Sequence, residues 1–198
     1  MLAANDAADK QRNEDRLMQR VAARDGAAFR LLVDAHAATV HRLAYRMMGD
    51  PVEAEDVTQD AMLRLWEHAA RWQPGGAGAG AWLKRVATNL CLDRLRRRRF
   101  SSDEEVPERA DEAPLADAAF DAARTAAAAR AAVLALPDRQ RLAIVLTYYE
   151  GMSNSDAAEA LELNIKAFES LLLRSRAALR LACIARGLVA DDLRGEVA

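Results

Sequence analysis

The sequence predicts an all-α protein of two small helical domains joined by an acidic linker. Three observations predict it. Apolar residues make up 52% of the chain, only 5% are aromatic, and alternating or β-branched runs are nearly absent, so helices should build the core. Gly and Pro cluster at a few places and punctuate helical stretches. Charge is segregated. Seven of the sixteen residues from Lys84 to Arg99 are basic with only Asp93 opposing them, whereas Asp103 to Asp121 holds eight acids and one base, Arg109.

Residues 1–15 are polar, lack apolar periodicity and read as a flexible tail, either disordered or loosely helical. A helical stretch follows from about Arg16 to Met48. In Gly49-Asp50-Pro51, Gly49 ends one helix, Asp50 caps the next and Pro51 occupies its first turn. That helix should run from about Val52 to Ala70. Pro74 to Gly80 is a glycine-rich loop with little side-chain chemistry, and a long helix begins near Ala81 and carries the basic run. The first domain is therefore placed at 16–100. Residues 101–124, interrupted by Pro107 and Pro114, form the acidic linker. A second domain occupies 125–187 and a short tail 188–198. Within that domain Pro137-Asp138 starts a helix, Gly151 ends it, and two more helices follow.

Those last two helices read as a helix-turn-helix. Ser153 and Asp156 have capping-box spacing at the start of a short helix over Asp156–Leu161, Glu162-Leu163-Asn164 is a tight turn, and a longer helix runs from Ile165 to about Arg186. At 100° per residue, Ile165, Phe168, Leu172, Ser175 and Leu179 share a face that should pack on the core. The opposite face carries Lys166, Glu169, Ser170, Leu173, Arg174 and Ala177, placed to reach base edges in a major groove, with Arg176 at the flank suited to a phosphate. The competing reading is an ordinary helical hairpin.

The first domain pairs an acidic face with a basic one. After Pro51, Glu53, Asp56, Asp60 and Glu67 fall in one arc with Leu63 among them and Gln59 at its edge, while Val57, Ala61, Met62, Leu65 and Trp66 lie opposite as core. An acidic stripe around an exposed leucine suits a basic, partly apolar partner helix; a solvated face would usually mix Lys with Glu. On the basic helix, Trp82, Arg85, Asn89, Asp93 and Arg96 share one face and Leu83, Val86, Ala87 and Leu90 another. Such a stripe offers planes for unstacked bases, an amide for their edges and charge for phosphates, with Arg97 and Arg98 adding phosphate attraction off the stripe. Trp82 could equally be core. Asp93 is expected to orient an arginine.

Several functional classes find no support. The expected location is the cytoplasm: the N-terminus is polar and charged, and no apolar run approaches the roughly 20 residues that span a bilayer, so no membrane insertion is expected. Cys91 and Cys183 read as buried thiols rather than a disulfide. No metal site, phosphate loop or catalytic triad stands out, so no cofactor, no metal and no catalysis are expected. His36, His41 and His68 read as incidental.

Taken in order, the motifs resemble the extracytoplasmic-function (ECF) sigma factors, minimal members of the sigma-70 family. The residues that carry the resemblance are Asp50-Pro51, Ala54-Glu55-Asp56, Gln59-Asp60 and Trp66; Ala81-Trp82-Leu83, Ala87, Asn89, Asp93 and Arg96; Leu136-Pro137-Asp138-Arg139-Gln140-Arg141; and Tyr148, Glu150-Gly151-Met152-Ser153, Ala157-Ala158, Glu169-Ser170-Leu171-Leu172, Arg174, Arg176 and Leu179-Arg180. The ordered set spans about residues 25–183. The resemblance implies a sigma2-like and a sigma4-like domain and, as partners, core RNA polymerase (β′ coiled coil and β), promoter DNA and an anti-sigma factor. It implies that Glu53, Asp56, Gln59, Asp60, Leu63 and Glu67 dock on the β′ coiled coil. Trp82, Arg85, Asn89, Arg96, Arg97 and Arg98, with the loop before them, would capture the melted −10 strand. Lys166, Glu169, Ser170, Leu173, Arg174 and Arg176 would read the −35 duplex, and the linker would occupy the RNA-exit path. Two places depart from the family pattern. Lys166-Ala167-Phe168 and Ser170-Leu171 replace the usual recognition-helix residues, and the 74–80 loop lacks the polar side chains that select a flipped base in relatives.

Two other classes compete. A ligand- or phosphorylation-controlled regulator would carry the same helix-turn-helix but needs a sensor domain, which the first 100 residues do not suggest. It would bind duplex promoter DNA alone, whereas a sigma factor needs core polymerase. An enzyme would show turnover that depends on a single side chain.

Overall fold

In a computed structural model of the chain, backbone is described for residues 2–101 and 117–188, and side chains for 11–98 and 123–188. Among the described residues all regular structure is helical, as the composition demands. The chain divides into two units, Met1–Cys91 and Leu92–Ala198.

In the first unit, α1 (Leu2–Ala22) is followed by α2 (Gly26–Met48), α3 (Pro51–His68), a 3₁₀ turn (Ala69–Arg71) and the start of α4 (Gly78–Ser101). Residues 2–15 belong to this first helix, the helical of the two readings open for that stretch. The helical stretch expected over 16–48 is broken at Ala23–Asp25. Arg24 sits in the left-handed region at φ 65°, and Asp25 caps α2 by accepting from the Ala27 and Ala28 N–H groups. Arg24 keeps that unfavourable backbone while its guanidinium lies over the Trp66 ring, 5.3 Å from the centroid. The junction of α2 and α3 follows expectation. Gly49 takes φ 72° and donates to the Tyr45 carbonyl, and Asp50 Oδ1 accepts from Val52 and Glu53.

α2 packs chiefly on α3, and α1 on α2 and the 3₁₀ turn. Met18, Leu32, Val40, Leu43, Met47, Val57, Leu65 and Leu83 are buried. Trp66, expected in the core, is only half-buried and meets Phe29 edge-on at 5.1 Å.

In the second unit, α5 (Asp117–Leu134) begins inside the stretch expected to be linker; residues 102–116 of that stretch lie outside the described residues. α6 (Asp138–Ile144) starts where Pro137-Asp138 predicts and then widens into a π-helix, Val145–Tyr149, which the sequence did not suggest. α7 (Asn154–Ala160) and α8 (Ile165–Ile184) complete the unit. Phe168 is fully buried, with Leu142, Ile144, Leu146, Ala157 and Leu172 also in the core. Arg141 is buried too. Its Nη2 donates to the Leu134 and Leu136 carbonyls at 2.7 and 3.1 Å, which satisfies the exposed end of α5. Ile165, expected on the core face, is 42% exposed at the first position of α8, while Leu171 is buried instead. Cys183 is half-buried rather than buried, and neither cysteine is in a disulfide.

Candidate nucleic-acid and partner interfaces

α3 turns its apolar side inward and leaves the acidic stripe outside. Asp56, Gln59 and Glu67 are exposed, Glu53 and Asp60 are half-exposed, and Leu63 stands 55% exposed among them. Gln59 donates to Glu55 at 3.3 Å along the helix. Val52, 65% exposed at the first turn, extends the apolar part of this surface. Such a stripe can receive a helix that carries lysines or arginines beside an apolar side chain.

On α4, Leu83, Ala87 and Leu90 are buried and Arg85 is exposed; Trp82 and Asn89 are half-buried. The stripe is therefore accessible. Trp82 and Arg85 line an open pocket of about 380 Å³ together with His68, Arg71, Trp72, Gln73, Gly76, Ala77, Gly78 and Ala81. Asn89 does not line it. Arg96 is exposed beside Asp93 at 3.6 Å, an exposed pair of small energetic weight, and Arg97 and Arg98 are also exposed.

The pocket contains what the sequence reading passed over. His68, incidental by sequence, stacks on Trp82 at 4.8 Å and 18° and meets Trp72 edge-on at 6.4 Å. His36, also incidental by sequence, is buried with Nε2 3.3 Å from Glu14 Oε1, within ion-pair distance but off hydrogen-bond alignment. The Trp72 indole donates to Asp15 Oδ1 at 2.8 Å, the Gly75 N–H donates to Asp15 Oδ2 at 3.1 Å, and the Ala79 N–H donates to Glu14 Oε2 at 3.0 Å. One signal could have found this site: all three tryptophans of a chain poor in aromatics fall within residues 66–82. The flat aromatic wall and the two guanidiniums suit a planar, unstacked base and its phosphate.

In the second unit, Ser153 Oγ accepts from the Asp156 N–H and donates to its carboxylate, which starts α7. Glu162 makes the turn at φ 54°, and Asn164 caps α8 by accepting from the Ala167 N–H. α8 then buries Phe168, Leu172 and Ser175 and exposes Lys166, Glu169, Ser170, Leu173 and Arg174; Ala177 is half-buried. Arg176 is exposed at the flank, donates from Nε to the Tyr148 hydroxyl, and lies 5.6 Å from the Tyr148 ring centroid.

Among the described residues no cluster of His, Cys, Asp or Glu could hold a metal ion, and no helix is long and apolar enough to cross a membrane.

Residues 32–101 match the family model for sigma-70 region 2, and residues 126–179 match that for sigma-70 region 4. The ECF RNA polymerase sigma factor SigE of Mycolicibacterium smegmatis is 37% identical over 153 residues, covering 75% of this chain and 59% of SigE. The chain therefore spans about three-fifths of that relative. SigK of Mycolicibacterium vanbaalenii is 32% identical over 170 residues, covering 84% of this chain and 87% of SigK. Among solved structures, CnrH in complex with the cytosolic domain of CnrY superposes with a TM-score of 0.64 at 27% identity, over 87% of this chain and 98% of CnrH. With both regions present in order and a relative matched along most of its length, the chain belongs to the ECF sigma factors of the sigma-70 family.

Proposed function

We propose that this chain binds core RNA polymerase, directs it to specific promoters and has no catalysis of its own. It would act in the cytoplasm, where the polymerase works. The observation that supports this best is the ordered pairing in one chain of a region 2 segment with a region 4 helix-turn-helix; a stand-alone regulator needs only the second. In this reading Glu53, Asp56, Gln59, Asp60, Leu63 and Glu67 dock on the β′ coiled coil, residues 16–100 forming the docking and −10 domain. Trp82, Arg85 and Asn89, with the pocket before them, hold the unpaired −10 strand, and Arg96, Arg97 and Arg98 attract its phosphates. Residues 101–124 connect to the −35 reader at 125–187, where Lys166, Glu169, Ser170, Leu173 and Arg174 face the groove and Arg176 the backbone.

An anti-sigma factor is the expected control. CnrH is bound by the cytosolic domain of CnrY, and the exposed Val52 and Leu63 offer an apolar surface that a small inhibitor could cover. Run-off transcription and gel shifts with and without core polymerase test the assignment. Promoter-specific initiation should appear only when chain and core are combined. Tight, sequence-specific duplex binding by the chain alone would instead indicate a regulator.

A further inference from the structure

We infer that Asp15 and Glu14 on α1 are positioning residues for the pocket on α4, and that they hold its wall ready for one unpaired nucleobase. This rests on the proposed reading of the pocket as part of the −10 strand-capturing surface. Both residues precede the matched region 2 segment, which starts at residue 32.

The loop from Pro74 to Ala77 and the first turn of α4, Gly78–Gly80, have no side chain beyond alanine after the proline, so the loop has little means of ordering itself. Glycine loses the most conformational freedom on ordering, and a wall left disordered would have to be ordered each time a base entered. α1 supplies the missing constraint. The two oxygens of Asp15 take the Trp72 indole and the Gly75 N–H, one at the aromatic wall and one at the first glycine. Glu14, 8% exposed, takes the Ala79 N–H at the other end and lies against His36 on α2. Gly78 has φ +86°, a backbone that favours glycine, and a Cβ there would meet Gln11 Oε1 at 2.5 Å and Glu14 Oε2 at 3.0 Å, so any other residue would displace the side chains of α1 from this approach. Trp72 in turn meets His68, which stacks on Trp82. The two carboxylates thus hold the loop at Gly75 and the first turn of α4 at Ala79, and set the pose of one aromatic wall without themselves lining the pocket.

The test uses the full chain with core polymerase and promoter fragments carrying a single abasic site at each −10 position of the non-template strand in turn. The parent should lose about tenfold in open-complex affinity at the position whose base enters the pocket. Asp15→Asn keeps the size of the side chain but turns an amide toward one donor. It should lose about tenfold on the intact promoter and less than twofold more at that same abasic position, while adding fully to every other abasic site. Additivity at all positions, or normal open-complex affinity of Asp15→Asn on the intact promoter, overturns the positioning inference while leaving the pocket reading intact. Reduced binding to core polymerase by Asp15→Asn would also overturn it, since Asp15 would then serve the whole unit. A parent that tolerates an abasic site at every position overturns the pocket reading itself, and the inference with it.

Discussion

Arg174 and Arg176 sit two positions apart on α8 and are held in different ways. Arg174 donates to the Ser170 carbonyl of its own helix, at 3.2 Å, and is exposed. Arg176 is oriented by the Tyr148 hydroxyl and ring. Arg174→Ala should therefore relax base preference at one −35 position, at a cost of about 1–3 kcal/mol for a bidentate guanine contact. Arg176→Ala should weaken binding evenly across sequences and lower the salt slope by about 0.9. A −35 library selected with each variant separates the two; matching profiles would show that the division of roles is wrong. Asp25 allows a separate check on the α1–α2 break. Its carboxyl is held below the ordinary value by the Ala28 N–H first and by the Arg20 side chain next. A depressed folded pKa means that the contribution is present above the unfolded value, about 3.9, and is lost as pH falls below it. Thermal melts between pH 3 and 6 should show Asp25→Asn losing stability at the upper end and converging on the parent at the lower end.

At the scale of elements, α3 gives the most direct test of polymerase docking. Reversing Asp56 and Asp60 to arginine sets like charge against a basic partner yet disturbs no buried side chain, so core affinity should fall while helicity is kept. Unchanged affinity at normal helicity would count against the docking face. α3 was also the most legible element, because Gly49, Asp50 and Pro51 each act locally and α3's two faces differ in charge. α8 was nearly as clear, with Ile165 misplaced because a first-turn residue has no preceding turn to pack beneath it. The α1–α2 break was missed. Its turn residue is Arg24, whose left-handed backbone is offset by a contact with Trp66, far along the chain. The π-helix was missed because an extra residue per turn leaves no mark on a short apolar run. The pocket wall was invisible for the same reason as the break: Asp15 reaches Trp72 and Gly75 across 57 and 60 positions, and periodicity carries only local information.

For the molecule as a whole, the net charge of −2 conceals a basic run and an acidic run separated by only a few residues. A nearly neutral chain gains little nonspecific attraction to DNA at long range, so its affinity should come from local phosphate contacts that salt weakens. This gives a way to separate charge attraction from base capture. Arg97 and Arg98 are exposed and lie off the Trp82 stripe, so replacing both with alanine should remove at most two phosphate contacts. Their loss should reduce the slope of log affinity against log salt by up to about 1.4 for a single strand, and low salt should restore much of the binding. Arg85→Ala with Asn89→Ala removes only one cation, so its slope should change by about 0.7 or less. Its effect should appear instead as reduced permanganate reactivity of −10 thymines at every salt concentration, with core binding and −35 contact intact. If that variant melts a promoter as well as the parent does, the stripe is not the strand-capturing surface. The glycine-rich loop, held against α1, then becomes the better candidate for that role.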